Sequence, residues 1–308
     1  MEDSTELQGV GFTWIHLRTN DEAAVAALRE RFGFHELDLK DVLPPLQRPK
    51  VVSREGYLFM IFLFPYYNPA RRDIVITEID FFIGRDFIVS VNGRDEFAPL
   101  RDLVTACARG DHQKNEVLGS GIGNALYKIL DHLHQAAFPM LLNINHDIDR
   151  LEERLFNVRG RGNVVEILRI KTNIVDFRRA MQGHKPVVDK LLVVGNGLLE
   201  TKKLQPYWND LLDLTKEIWA YLETQRETIT ALHETHSSLL SHRINEVIKR
   251  LTLVSVALLP LTLLASLFGM NLDDIPFSTN PLGFWIVMAL LAVTFAGVVG
   301  YFKSKDWV

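Results

Sequence analysis

The apolar positions of this chain change period along its length, and each period predicts a different kind of element. Near the N-terminus they come in short blocks. "FTWIHLR" (12–18) alternates, "YLFMIFLFP" (57–65) is continuous, and "IVITEIDFFIG" (74–84) and "DFIVSVN" (86–92) are separated by Gly84-Arg85. Alternation predicts a half-buried strand, the continuous aromatic run a buried one, and the last two blocks a hairpin. Between them "NDEAAVAALRERFGF" (20–34) carries a helical pattern, with Asn20 or Asp21 as N-cap and Gly33 near its end. A mixed α and β domain is expected over residues 1–115.

After it the strand signal disappears. Residues 122–157 show an amphipathic helical pattern, broken by "FNVRGRGN" (156–163). A second helix is expected from about Val164 to Met181, and "GNG" (195–197) is a further break, so 116–204 reads as a helical region. From Gln205, with Pro206 suited to a first helical turn, no breaker occurs before Pro260. Leu211, Leu214, Ile218, Leu222, Ile229, Leu232, Leu239 and Val247 recur at helical intervals, as in a bundled or coiled-coil-like helix. Residues 205–250 are thus expected to form a stalk. It enters the next segment without a turn signal, giving one helix over 205–270 of roughly 100 Å. Pro260 is compatible with it, because a membrane helix tolerates proline when neighbours satisfy the freed carbonyl.

That next segment is the most apolar. Leu251–Met270 is twenty residues without a charge and Leu282–Phe302 is twenty-one, with eleven residues between them. About 20 apolar residues cross a bilayer core, so 251–302 reads as a transmembrane hairpin. Arg243, Lys249 and Arg250 precede it, Lys303 and Lys305 follow it, and the connecting "NLDDIPFSTNP" has no basic residue. Positive charge favours the cytoplasmic side. Both termini, including the basic tail 303–308, are therefore expected in the cytoplasm, and the protein in the inner (plasma) membrane. Trp285 and Tyr301 sit near opposite ends of the second run, where an interfacial aromatic belt belongs.

Leading into and along the first run, Asn245, Thr252, Ser255, Thr262 and Ser266 are spaced seven, three, seven and four apart. They share one stripe of a 3.5-residue repeat. Such a stripe either lines water or packs helices together. The second run has no comparable stripe.

Composition narrows the remaining choices. The 308 residues carry a net charge of −4 and a single cysteine, Cys107, which gives neither a nucleic-acid footprint nor a disulfide or cysteine-rich zinc site. The polar, acidic start "MEDSTELQGVGF" shows no secretory signal. No Ser/His/Asp set or phosphate loop is visible, so the soluble part does not read as an enzyme. His132 and His134, His233 and His236 of "HETH", and His242 do not match a metal-binding spacing. They are expected at the surface or between subunits.

"FGMN" (268–271), closing the first of two C-terminal membrane helices, resembles the signature of the CorA-type divalent metal ion transporters. "NEVIKRLTL" (245–253) and "LPLTLLASLFGMN" (259–271) resemble that family's first membrane helix, and the resemblance extends over the whole chain. It implies an α+β cytoplasmic domain, a long helical stalk, two transmembrane helices and a funnel-shaped homopentamer, with the first helix of each copy around the pore. Gly269, Met270 and Asn271, in the external loop at about 269–281, would form the outer mouth and bind a hydrated ion. Asp273 and Asp274 would concentrate cations there. Asn245, Thr252, Ser255 and Thr262 would line the pore as polar positions, and Ile248, Leu251 and Leu259 would form its hydrophobic gate. Mg²⁺, with Co²⁺ and Ni²⁺, would be the substrate, driven by the membrane potential.

The same resemblance places regulatory metal binding on the stalk at "YWNDLLD" (207–213), with Asp210 and then Asp213 as candidates. Its expected acidic partner falls near "YYNPARRD" (66–73), where Asn68-Pro69 stands instead and Asp73 is the substitute. "NVRGRGN" has two arginines and no acid, and Asp306 interrupts the basic tail. Two alternatives stay open. One is the zinc-transporting branch of the same superfamily, coupled to protons; it typically has valine at the position of Met270, although "LDDIP" is similar to it. The other is a non-conducting membrane-anchored sensor or coiled-coil protein.

Overall fold

The computed structural model describes residues 4–93, 97–157, 162–270, 276 and 281–305. These fall into two compact units, Met1–His233 and Glu234–Val308.

The first unit opens with strands β1 (Ser4–Gln8) and β2 (Thr13–Leu17) and helices α1 (Glu22–Phe32) and α2 (Glu36–Val42). Strands β3 (Lys50–Ser53), β4 (Leu58–Asn68), β5 (Asp73–Ile83) and β6 (Phe87–Asn92) follow. They form one six-stranded sheet in the order β1-β2-β6-β5-β4-β3. The expected hairpin is present, with Ile83 opposite Ile88. Among the described strands, only β2 and β6 pair in parallel. The helix expected at 20–34 is capped by Asp21, whose side chain accepts from Ala24 N–H at 2.8 Å. It ends at Gly33, whose φ of 64° suits a residue without a Cβ.

Helices α3 (Ala98–Arg109), α4 (Asp111–Leu118), α5 (Ile122–Gln135), α6 (Phe138–Asn157), α7 (Gly162–Met181), α8 (His184–Val194) and α9 (Asn196–Leu199) follow the sheet. The single helical pattern over 122–157 is thus two helices. Pro139, in the first turn of α6, has no N–H to give to Gln135 and cannot continue α5.

Leu58–Phe64 is buried without interruption because the sheet is covered on both faces. One face packs Phe62, Phe64 and Phe81 against Leu103, Leu126, Leu130, Val188 and Trp208. The other packs Phe59, Ile61, Phe82 and Val89 against Leu28, Leu39 and Val42. Residues on both sides of position 115 therefore share one core. A separate cluster joins α6, α7 and the long helix through Ile148, Leu151, Ile170, Phe177, Ile218 and Ile229.

Among the histidines expected at the surface, His132, His233 and His242 are exposed. His134 is not: it is wholly buried, and so is His184, whose Nδ1 lies 2.8 Å from His134 Nε2. Pairing with a second ring, rather than solvation, satisfies it. His236 is also buried.

The long helix α10 runs from Gln205 to Phe268, 64 residues with Pro260 inside it. In the first unit its stripe of Leu211, Ile218, Leu222, Ile229 and Leu232 is buried. In the second unit α10 and α11 (Gly283–Ser304) are the two helices long and apolar enough to cross a membrane.

Candidate functional site

The membrane-length part of α10 has two different faces. Leu253, Ala257, Pro260, Leu261, Leu264 and Phe268 are partly or fully covered. On α11 the covered positions are Gly283, Val287, Leu291, Thr294, Val298 and Phe302. Both sets recur every three or four residues, as on two helices packed side by side.

The expected pore residues lie elsewhere. Asn245, Ile248, Thr252, Ser255, Leu259 and Thr262, continued by Ser266, are spaced alternately three and four apart and are all exposed, as is Leu251 beside them. At about 100° per residue, this seam lies roughly 160° around the helix from the covered face. Packing between the chain's own two membrane-length helices therefore does not account for the polar stripe. Seen along the axis, the seam alternates polar and apolar layers: Asn, Ile, Thr, Ser, Leu, Thr, Ser.

Two of the hydroxyls on the seam have a definite polarity. Ser255 Oγ donates to the Leu251 carbonyl at 3.0 Å, and Thr262 Oγ1 to the Leu258 carbonyl at 2.8 Å. With the hydrogen turned back into the helix, each oxygen offers only lone pairs outward. Pro260 has no N–H, so the Val256 carbonyl lacks its usual helical donor.

Helix α10 ends at Phe268, and Met270 is exposed. Gly269 donates its N–H to Ala265 O at 2.9 Å. A Cβ on Gly269 would lie 3.1 Å from that oxygen, so glycine fits here by close approach rather than by a left-handed backbone. Asn271, Asp273 and Asp274 lie outside the described residues, as do Asp306, Arg159 and Arg161.

On the first turns of α10, the two regulatory candidates have different surroundings. Asp210 accepts a hydrogen bond from the Tyr127 hydroxyl. Asp213 pairs with Lys216 at 2.8 Å, one turn further along. Burial raises Asp131 on α5 above the usual carboxylate range, and the nearby charge of Asp210 adds to the shift. Asp131 was invisible as a candidate in the sequence, because only the packing of α5 brings it near Asp210. Asn68 has a turn role: its Oδ1 accepts from Ala70 N–H at 3.0 Å and from Arg71 N–H at 3.4 Å. Asp73 stands opposite Asn68 in the strand register, and no described hydrogen bond joins it to Asp210. Among the described residues, no three His, Cys, Asp or Glu side chains are grouped so as to hold a metal ion.

The family model for CorA-like Mg²⁺ transporter proteins matches residues 9–304. The chain belongs to this family. Its CorA relatives include the cobalt/magnesium transport protein of Thermotoga maritima, 28% identical over 99% of this chain and 85% of that protein. The cobalt/magnesium transport protein CorA of Methanocaldococcus jannaschii is 24% identical over 99% of this chain and 94% of its own length. A zinc transport protein, ZntB of Yersinia enterocolitica, is 24% identical over 96% of this chain and 88% of its own. The complete structure of the Methanocaldococcus jannaschii CorA magnesium transporter superposes with a TM-score of 0.87 at 21% identity. That match covers 99% of this chain and 98% of that one. At such identity the superposition establishes the CorA fold: the α and β unit, the long helix and the two C-terminal apolar helices. The chain is thus a CorA-family divalent cation transporter, a membrane protein with two candidate transmembrane helices.

Proposed function

We propose that this CorA-family chain moves Mg²⁺, with Co²⁺ and Ni²⁺ as further permeants, into the cell along a channel lined by the α10 seam of five copies. The observation that carries the reading is the exposed seam itself, with its hydroxyl lone pairs directed outward. Mg²⁺ gives up its water reluctantly and prefers six oxygens in near-octahedral geometry. A wall of neutral oxygen acceptors suits the ion with its water shell in place, since those waters donate outward. The layers at Ile248, Leu251 and Leu259 would close the path by dewetting.

At the outer end, Gly269, Met270 and Asn271 would form the mouth, with the Asn271 carboxamides accepting from the ion's waters and Asp273 and Asp274 raising the local cation concentration. The termini would be cytoplasmic, and the membrane the inner (plasma) membrane. A divalent ion then gains about 4.6 kcal/mol per 100 mV, at about 2.3 kcal/mol per charge. Asp210, with Asp213 a turn away, would report the cytoplasmic ion concentration.

The test is Mg²⁺ uptake into proteoliposomes under an imposed potential, wild type beside Asn271→Ala, with Zn²⁺ and a proton gradient as the second arm. Voltage-driven Mg²⁺ uptake that is lost in the variant supports the proposal. Zn²⁺ movement that requires the proton gradient, with no Mg²⁺ uptake, would assign the chain to the zinc branch instead.

A further inference from the structure

Two buried acids on β5 play no part in the cation path. Glu78 and Asp80 are two residues apart on one strand, so both side chains leave the sheet on the same face. Both are buried, Asp80 to 2% exposure. Their register partners are Leu63 and Ile61 on β4 and, for Asp80, Val91 on β6; the flanking strands bring only apolar side chains.

Charged groups approach from other elements. Asp41 at the end of α2 and Lys50 at the start of β3 form an ion pair with one another. Arg48 and Arg179 stand further off, on the wall of a neighbouring cavity. The Gln47 backbone N–H donates to Glu78 Oε2. Asp80 Oδ1, buried on the same face as Glu78, has no hydrogen-bond partner among the described residues.

Two carboxylates buried side by side without a cation of their own repel one another, so the pair holds at least one proton between them. Among the described residues, Asp41, Glu78 and Asp80 face one ammonium, Lys50, which Asp41 already holds. The more deeply buried Asp80 is the one to keep the proton, which leaves Glu78 as the carboxylate that accepts from Gln47.

We propose that Glu78 and Asp80 form a proton-binding site that clasps residues 43–49 to the sheet and loosens that segment when a second proton binds. With one proton in the pair, the Gln47 N–H meets a carboxylate. With two, it meets a neutral carboxyl oxygen, a weaker acceptor because the bond is no longer charge-assisted. Burial pushes Glu78 up to about 7, with Asp41 adding to the shift, and raises Asp80 well above the usual carboxylate range. The second proton therefore binds near neutral pH. Residues 43–49 wall two cavities, one of 610 Å³ reaching Asp41 and Lys50 and one of 600 Å³ reaching Arg179 and Gly183. Proton binding would thus govern access to both.

The experiment is infrared spectroscopy and amide hydrogen exchange on the full chain in detergent, from about pH 9 to about pH 5, around the carboxylate range raised by burial. At the alkaline end, one protonated-carboxyl carbonyl band is expected in wild type and is lost in Asp80→Asn. A second band should grow through neutrality and be absent in Glu78→Gln. Exchange across 43–49, corrected for its intrinsic pH dependence, should rise severalfold over the same interval in wild type. In Glu78→Gln, an isosteric mimic of the protonated acid, it should be fast throughout. No alkaline band in wild type, or exchange that is as flat as in Glu78→Gln, overturns the proposal. Should Asp80→Asn fail to fold, the wild-type and Glu78→Gln measurements still decide it.

Discussion

The phenolic hydroxyl of Tyr127 donates a 2.8 Å hydrogen bond to the carboxylate of Asp210, tying α5 to the start of α10. Burial pushes the Tyr127 hydroxyl well above its ordinary range, and its acceptor Asp210 pushes it further, so the proton stays on tyrosine. The bond occupies one oxygen of the leading regulatory candidate. Tyr127→Phe frees that oxygen at a cost of about 1 kcal/mol in lost hydrogen bonding. The Mg²⁺ concentration that protects the chain from limited proteolysis is expected to fall about fivefold in Tyr127→Phe and to rise in Asp210→Asn. Identical protection curves for all three proteins would remove Asp210 from the regulatory site.

The seam makes a directional prediction for transport. Thr262→Val keeps the shape of the side chain and removes its oxygen. Uptake of Mg²⁺ into proteoliposomes should slow about tenfold, equivalent to about 1.4 kcal/mol. Leu259→Ser, which wets an apolar layer, should instead raise resting uptake severalfold. Equal rates in both variants would show that this face of α10 does not line the path.

The buried histidines predict acid sensitivity. His134 Nδ1 contacts the Leu130 carbonyl at 2.7 Å, and His184 Nε2 contacts the Leu63 carbonyl at 2.7 Å. Two neutral rings carry two N–H hydrogens between them, so they can fill two of three contacts: these two and the one between the rings. Burial pushes His134 down to about 4 and holds His184 well below its usual value, with His134 adding to the effect. Both are bases whose folded pKa lies below the unfolded one. Their contribution is complete above about pH 6.5 and is lost as pH falls toward about 4, since the unfolded chain takes up protons that the folded chain refuses. For His134 alone the loss reaches about 3 kcal/mol. Denaturant unfolding of His134→Gln should decline less steeply with acid than wild type; parallel declines would contradict this.

Asp38 tests the cost of an orphaned charge. It is wholly buried, and Arg54 holds it through Nε at 2.8 Å and Nη2 at 2.6 Å, with the Tyr57 hydroxyl at 2.8 Å. Burial alone would raise its carboxyl, but Arg54 and Tyr57 outweigh that and hold it below the ordinary range. Arg54→Met is expected to destabilise the protein by about 3–5 kcal/mol. Adding Asp38→Asn should restore part of the loss, as read by thermal unfolding.

The sequence was legible where pattern and burial coincide. The aromatic run ending in "FLFP" is buried on both faces, and the 64 residues of α10 carry no breaker capable of ending a membrane helix. Strands β1 and β3 left little trace: "STELQ" is polar and "KVVS" only four residues long, because strands at the sheet's edges need not alternate strongly. At the site, the seam could be read from spacing along one helix. Asp131, Tyr127 and the Glu78–Asp80 pair could not, since their partners lie tens of residues away or arise from burial, which no local pattern encodes.

The back-bonded hydroxyls of Ser255 and Thr262 have a consequence for the sign of the permeating charge. With their hydrogens committed to Leu251 and Leu258, these two dipoles point their negative ends away from the helix axis, at positions that bear no formal charge. A chloride or phosphate ion beside either hydroxyl would find no hydrogen to accept, whereas a hydrated cation would find an oxygen for its own water. On the proposed path, anions would thus be turned away at these layers without a ring of acidic residues there, which would hold a divalent ion too tightly to release it.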